Sequence, residues 1–250
     1  MSHGEIPASV AENLKDVVRR VEGAVQRSSL KKPARLVAVG KTKPVELVQE
    51  AYEAGHRDFG ENYVQELLDK APKLPDDTRW HFVGHLQSNK AKMLVEGVPS
   101  LAAVETVDSE KLANKLENAL EGQSRPPLEV YVQVNTSGEE SKFGVEPSDV
   151  VSLAKYIKES CPHLKFSGLM TIGMQDYTSR PENFKCLSDC RDKVCEALGL
   201  KVEDVELSMG MSGDFEQAIE MGSTNVRVGS TIFGERYYPN KEEANKHDNA

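Results

Sequence analysis

The chain alternates short apolar runs with longer stretches in which apolar residues recur every three to four positions. Apolar runs rich in β-branched residues predict strands that are buried on both faces, and the helical spacing predicts amphipathic helices that cover them. Eight candidate strands follow one another in this way, at residues 35–41, 58–63, 80–86, 101–107, 129–135, 165–172, 205–211 and 225–233. Helical patterns lie between most of them, for example at 109–120, 147–159 and 181–198.

One further helix is predicted before the first strand. Apolar residues recur at helical spacing over residues 9–26, and we expect this helix to cover one end of the fold. Strand followed by helix, repeated eight times, is the rhythm of a (β/α)₈ TIM barrel, and 250 residues fill one such barrel. We therefore predict an α/β fold with a single barrel over residues 9–236, a flexible N-terminus at 1–8 and a polar tail at 237–250. A doubly wound open sheet is the competing interpretation.

Charge and composition narrow the class of partners. The formal net charge is -9 and the basic residues are dispersed, so we expect no nucleic-acid partner. The opening segment lacks an apolar signal core and no run of about 18 apolar residues is present, which predicts a cytoplasmic protein without a membrane partner. The four cysteines lack metal-ligand spacing, so we expect reduced structural thiols and no metal site.

Lys41 is the first candidate for chemistry. It closes the first predicted strand and shares parity with Val37 and Val39, so its side chain can point into the mouth of a barrel. A partly desolvated amine there has a lowered pKa and attacks an aldehyde. The alternative is a solvated lysine just past a strand end.

Arg227 in the last predicted strand shares a face with Asn225 and Gly229, opposite Val226 and Val228. If the valines pack on helices, the guanidinium points inward and needs a partner, because an unpaired buried charge costs several kcal/mol. The partner is either a buried carboxylate or a ligand.

Two loops rich in small and hydroxylated residues follow the seventh and eighth strands, where TIM barrels form their usual phosphate site. One spans 208–214 and contains Ser208 and Ser212, and the other contains Gly229, Ser230 and Thr231. Ser212 or Asp214 as the cap of a following helix is the alternative interpretation.

An amine, an arginine and a phosphate cradle together describe a site for pyridoxal 5′-phosphate (PLP), a phosphorylated aldehyde with a ring nitrogen. An arginine at that nitrogen disfavours its protonation and leaves a weak electron sink. Asn62, which ends the second strand, is a candidate partner of the ring hydroxyl, and His81 in the third strand is a candidate pocket residue. A purely structural role is the alternative for His81.

Seven segments resemble the pyridoxal phosphate homeostasis protein family, whose single domain is similar to the barrel domain of alanine racemase, fold type III of the PLP proteins. They run in family order over about residues 10–236, at 38–43, 59–63, 80–90, 141–144, 167–171, 207–212 and 227–229. The resemblance implies that Lys41 holds PLP as a Schiff base and that Arg227 meets the pyridine nitrogen. It further implies that Ser212, Gly229, Ser230 and Thr231 surround the phosphate, and that Asn62, His81, Met170 and Ser208 are pocket positions. The role of Lys142, which also falls in a family motif, stays open.

Three functions are compatible with this site. The resemblance favours a carrier that buffers and delivers PLP, with PLP-dependent apoenzymes as partners, no catalytic residues and a monomeric state. The alternative is a PLP-dependent amino-acid racemase or lyase with weak activity, because alanine racemase-like catalysis uses a second base from an additional β domain that we do not expect here. The third is a sugar-phosphate enzyme in which Lys41 forms an imine with the substrate.

Overall fold

The computed structural model describes residues 9–139, 143–173 and 180–235. The flexible N-terminus expected at 1–8, the polar tail expected at 237–250 and Lys142 lie outside them.

Eight parallel strands close into a barrel in sequence order. The strands are β1 (Arg35–Val39), β2 (Asp58–Glu61), β3 (Arg79–Phe82), β4 (Leu101–Val107), β5 (Leu128–Gln133), β6 (Leu164–Met170), β7 (Glu206–Ser208) and β8 (Asn225–Val228). β1 pairs with both β2 and β8, and Val37 lies opposite Arg227 in the second of these ladders. An open sheet would leave β1 or β8 at an edge, so the TIM barrel prediction is confirmed.

Nine helices of the described chain surround the barrel. They are α1 (Val10–Arg27), α2 (Val45–Glu53), α3 (Val64–Lys70), α4 (Ala91–Gly97), α5 (Glu110–Leu120), α6 (Val150–Ser160), α7 (Pro181–Leu198), α8 (Phe215–Glu220) and α9 (Ser230–Phe233). Among them, no helix is both long and apolar enough to cross a bilayer.

Helix α1 begins with a capping box, in which the Ser9 hydroxyl accepts from the Glu12 N–H and the Glu12 carboxylate accepts from the Ser9 N–H. Its buried face packs against α2, α8 and α9. The helix was expected to cover one end of the barrel, but it lies in the outer helical layer instead. The reason is that its apolar face is buried by contacts with these three neighbouring helices.

The expected eighth strand, 225–233, is wrong beyond Val228. The backbone turns at Gly229, and residues 230–233 form a short helix whose Ile232 and Phe233 N–H groups donate to the Gly229 carbonyl. The Ile232 and Phe233 side chains are buried, which prolongs the apolar pattern of the strand without continuing its ladder. Burial alone therefore does not mark where a barrel strand ends.

The main hydrophobic core lies between the strands and the helices, whereas the barrel interior is partly polar. Apolar side chains inside the barrel form two small groups, one of Val37, Val39 and Val83 and one of Ala103, Tyr131 and Met170. Polar side chains are buried in the interior as well, among them Glu105, Ser208 and Arg227.

Candidate functional site

A cavity of about 560 Å³ opens at the carboxyl ends of the strands. It is lined by Val39, Lys41, Lys43, Asn62, Val83, Ile172, Met211, Ser212, Gly213, Arg227, Gly229, Ser230 and Gly234. Functional groups of TIM barrels gather at this face because the loops after the strands converge there. Six of the ten residues that the sequence singled out line this one cavity, namely Lys41, Asn62, Ser212, Arg227, Gly229 and Ser230.

Lys41 and Asn62 follow neighbouring strands. Lys41 comes two residues after the end of β1, and its half-buried side chain lines the cavity. Asn62 comes directly after β2, and its Oδ1 is buried without a hydrogen-bond partner among the described residues. A Cβ built on Gly84 would lie 2.0 Å from the Asn62 carbonyl oxygen. Any other residue at position 84 would therefore clash with the Asn62 backbone in its present position.

Arg227 lies in the cavity wall with only 4 % of its surface exposed. Its Nη1 donates to the Ser208 hydroxyl at 2.6 Å, and its Nη2 donates to the Thr171 carbonyl at 2.8 Å. Within the described chain no carboxylate forms an ion pair with it directly. Burial lowers the pKa of the guanidinium, and the nearby charge of Glu105 opposes that shift.

Glu105 on β4 is a buried carboxylate that is connected to this arginine by way of the Ser208 hydroxyl. Its Oε2 accepts from the Ser208 hydroxyl at 2.5 Å, and its Oε1 accepts from Asn225 Nδ2 at 2.8 Å. Burial favours the neutral acid, but the hydrogen bond and charge of His81, with the charge of Arg227, lower the pKa of the Glu105 carboxyl to about 2. The group is therefore an anion at neutral pH.

His81 lies beneath the cavity rather than in its lining. Its ring is 2 % exposed, with Nδ1 2.8 Å from Glu105 and Nε2 3.3 Å from Asp58. Burial opposes its charged form, yet hydrogen bonds to the two carboxylates raise its pKa. Asp58 in turn pairs with Arg79 at the start of β3. These contacts fit the alternative interpretation, in which the role of His81 is structural.

The remaining predicted pocket positions are not among the lining residues, although Thr231 directly follows the lining residue Ser230. Ser208 connects Glu105 to Arg227, and Met170 packs inside the barrel against Ala103 and Tyr131. Thr231 contributes its backbone N–H, which donates to the Ser212 hydroxyl at 3.5 Å.

The two candidate phosphate loops meet at Ser212. Its hydroxyl accepts from the Gly229 N–H at 3.2 Å as well as from Thr231, so it bridges the loops instead of capping α8. Asp214 precedes α8, and its Oδ1 accepts from the Met211 N–H at 2.7 Å. A Cβ on Gly229 would lie 3.1 Å from the Val39 carbonyl oxygen, which shows how closely the loop backbone approaches β1.

Sequence reasoning missed Glu105 and Thr171. Glu105 interrupts an apolar strand and shares parity with Ala103, which faces the barrel interior. A charged residue at an inward position of a buried strand was the signal that would have identified it. Thr171 contributes through its backbone carbonyl, which no side-chain pattern reveals.

Comparison with known proteins places the chain among relatives with this barrel. Residues 12–237 match the family described as alanine racemase, N-terminal domain. The mouse pyridoxal phosphate homeostasis protein is 51 % identical over 245 residues, which cover 93 % of this chain and 89 % of the relative. The chain belongs to the pyridoxal phosphate homeostasis protein family. A family member from Vibrio cholerae is 42 % identical over 92 % of this chain and 98 % of its own length.

Solved structures agree with this family and fold. PipY of Synechococcus elongatus, solved with PLP bound, superposes with a TM-score of 0.71 at 30 % identity, covering 90 % of this chain and all of PipY. Alanine racemase from Corynebacterium glutamicum superposes with a TM-score of 0.65 at 13 % identity, covering 92 % of this chain and 61 % of that one. At that identity the superposition shows a shared fold.

Proposed function

We propose that the chain binds PLP, holds it as a Schiff base on Lys41, and contributes to vitamin B6 homeostasis by buffering and delivering the cofactor. The observation that carries the proposal is that Lys41, Arg227 and the Ser212 loop line one cavity at the carboxyl face of the barrel. The names of the mouse and V. cholerae relatives and the PLP bound to PipY support it.

The residues present fit such a cofactor. Asn62 Oδ1 is a buried polar atom that lacks a partner in the described chain, and a ligand at the cavity wall satisfies it. We assign Arg227 to the ring nitrogen and Asn62 to the ring hydroxyl. We assign the phosphate to the bridged loops, where hydroxyl and backbone N–H groups lie together. The residues assigned there are Ser212, Gly229, Ser230 and Thr231, and a phosphate would compete with the Ser212 hydroxyl for the Gly229 and Thr231 N–H groups.

When bound, PLP supplies an aldehyde that reacts with amines and a ring that withdraws electrons from groups attached to it. The chain's own residues moderate this reactivity. Arg227 is a hydrogen-bond donor with no acceptor atom, so next to the ring nitrogen it disfavours protonation there. His81 and Ser208 act one step removed, because they hold Glu105 and Arg227 in place.

A carrier fits the described lining better than an enzyme that moves protons rapidly. The titratable side chains along the described wall are Lys41, Lys43 and Arg227, and no carboxylic acid, histidine, cysteine or tyrosine is among the lining residues of the described chain. Racemisation needs an acid and a base on opposite faces of the substrate, with pKa values near the working pH. Lys43 Nζ donates to the Glu235 carbonyl at 2.5 Å, which directs that amine toward the rim. We therefore propose a carrier and keep a weak racemase or lyase activity as the alternative.

Mass spectrometry tests the covalent site. Protein incubated with PLP, reduced with borohydride and digested is expected to carry the pyridoxyl group on Lys41. The variant Lys41→Ala is expected to lose it, and Lys165→Ala, which removes a lysine that pairs with Glu129 on the far side of the barrel, is expected to keep it. Modification at another lysine in the wild type, at equal yield, would overturn the assignment.

A second experiment separates carrier from enzyme. The PLP-loaded protein is incubated with a panel of amino acids to measure turnover, and separately with a PLP-dependent apoenzyme to measure cofactor transfer. We expect transfer without multiple turnovers, and rapid turnover on any amino acid would overturn the carrier. We further propose that residues 9–236 form one folding unit that acts as a monomer in the cytoplasm, with apoenzymes as its recipients.

A further inference from the structure

The peptide groups on both sides of Lys41 are held by charged side chains of α3. The Gly40 carbonyl accepts a hydrogen bond from Lys70 Nζ at 2.9 Å. The Thr42 N–H donates to Glu66 Oε2, also at 2.9 Å. Lys41 is thus the residue between two anchored peptide units, both fixed from the same neighbouring helix.

Lys70 and Glu66 belong to one cluster with Glu61, the last residue of β2; Lys70 and Glu61 are buried in it, and Glu66 is partly exposed. Lys70 Nζ donates to Glu61 Oε1 at 2.7 Å and to Glu66 Oε2 at 3.0 Å, in addition to the Gly40 carbonyl. These three acceptors match the three hydrogens of an ammonium group. The Glu61 side chain is fully buried, and that of Lys70 is 8 % exposed.

The loop lies directly on this cluster. A Cβ built on Gly40 would lie 3.0 Å from Glu61 Oε1 and 2.9 Å from Val48 Cγ2, so a larger residue would push the loop away. Thr42 has a φ of 63°, in the left-handed region, which is unfavourable for a β-branched residue. Such a conformation persists where surrounding contacts over-determine it, and the hydrogen bond to Glu66 is one of these contacts.

Stability alone does not account for a cluster of this kind. Replacing a buried ion pair by apolar side chains of similar volume is often neutral or stabilising, because the charges lose their hydration. In this cluster two hydrogen bonds do not join charged groups to each other, and they are the one from Lys70 to the Gly40 carbonyl and the one from the Thr42 N–H to Glu66. Both involve the backbone beside Lys41. The placement of these bonds points to positioning of that residue.

We propose that Lys70, Glu66 and Glu61 are positioning residues that fix the direction of the Lys41 side chain and thereby set the rate at which its amine captures PLP. The inference rests on the proposed function. A small error in the placement of a reacting group lowers a rate by a large factor, whereas binding of the phosphate and ring depends on other loops and is left intact.

Two sets of variants test this role. Glu66→Ala removes the acceptor for Thr42 at a residue whose side chain is 30 % exposed, and Glu66→Gln keeps an acceptor oxygen there. The double variant Lys70→Met with Glu61→Gln removes the buried pair together, and the Glu66 carboxylate that it leaves without a lysine is 30 % exposed to solvent. Capture of PLP by the apoprotein is followed by stopped-flow absorbance. We expect Glu66→Ala and the double variant to capture PLP about tenfold or more slowly, and Glu66→Gln to be close to wild type.

Two readouts separate positioning from a general loss of structure. Affinity for pyridoxine 5′-phosphate, which carries an alcohol in place of the aldehyde, is expected to stay within about twofold in every variant, because the phosphate and ring contacts are unchanged. The matched control is Arg35→Met, which breaks the ion pair with Glu206 at the opposite end of the barrel and is expected to leave capture unchanged.

The possible outcomes are distinct. Slow capture with unchanged pyridoxine 5′-phosphate affinity supports the positioning role. Capture at the wild-type rate in both Glu66→Ala and the double variant overturns it, as does equal slowing in Arg35→Met. If the wild type itself forms no adduct at Lys41, the proposed function fails, and the inference fails with it for that separate reason.

Discussion

His81 Nδ1 lies 2.8 Å from Oε1 of Glu105 at the centre of the barrel. The contact joins the Asp58 and Arg79 pair on one side to Ser208 and the cavity arginine on the other. Positive and negative groups alternate along this path, so each buried charge has an opposite neighbour. The cation that faces the cavity is consequently held from below by residues that are not part of the cavity lining.

Removal of the central anion tests this network. We expect Glu105→Gln to lower the free energy of unfolding by about 3 kcal/mol, because it removes the buried anion that faces Arg227 and leaves Asp58 as the remaining carboxylate beside His81. The measurement is urea unfolding at pH 7. Glu129→Gln, which breaks a pair with the exposed Lys165, is the matched control and should cost less than about 1 kcal/mol. Equal losses in the two variants would contradict the network.

The network also predicts how stability depends on pH. The pKa of His81 is raised on folding, so the folded state binds a proton more tightly than the unfolded chain. The stability it contributes is complete below the unfolded pKa of about 6.5 and is lost as the pH rises through the folded pKa.

The difference in unfolding free energy between wild type and His81→Gln should therefore be constant near pH 6 and shrink at higher pH, by at most about 1.4 kcal/mol per pH unit. Urea unfolding of both proteins from pH 6 to pH 9 measures it. A difference that grows with pH would mean that the ring is neutral in the folded protein.

A negative charge at the bridge between the two loops tests the assigned phosphate site. We expect Ser212→Asp to weaken PLP binding at least about tenfold, because its carboxylate faces the phosphate dianion. Pyridoxal, which lacks the phosphate, serves as the matched ligand and should lose far less affinity. Equilibrium dialysis of both ligands gives the ratio, and equal losses would place the phosphate elsewhere.

Gly84 tests the backbone support of Asn62. We expect Gly84→Ala to lower the free energy of unfolding by about 2 kcal/mol or more and to weaken PLP binding, because its Cβ would lie 2.0 Å from a main-chain oxygen. Gly23→Ala on α1, where a Cβ meets only the Arg27 side chain at 3.4 Å, is the control and should be neutral or slightly stabilising. Thermal unfolding of the two variants distinguishes a local clash from a general effect of alanine.

Much of the fold was predictable because each barrel strand is buried on both faces and therefore reads as an apolar run between helices. The carboxyl ends of the strands were harder. Ile172 and Met211 line the cavity after β6 and β7 have ended, and they prolong the apolar pattern without any ladder hydrogen bonds. The place of α1 was also missed, since an apolar stripe does not reveal which neighbour it contacts.

The candidate site was predictable where parity along a strand decides direction, as for Lys41 and Arg227. It was not predictable where a residue acts through a partner on a distant strand. Glu105 on β4 and His81 lie on adjacent strands, but Ser208 lies on β7, 103 residues after Glu105, and the closed barrel brings that pair together across its interior. His81 accordingly belongs to the support of the site rather than to its lining.

The alternation of charges inside the barrel has a consequence for protein engineering. Replacing Arg227 with a new reactive group would remove the cation on one side of Glu105, and the change would also alter the surroundings of the His81 imidazole that contacts this carboxylate. These interior positions should therefore be exchanged as one block when this scaffold is redesigned, while the rim loops remain open to piecemeal change.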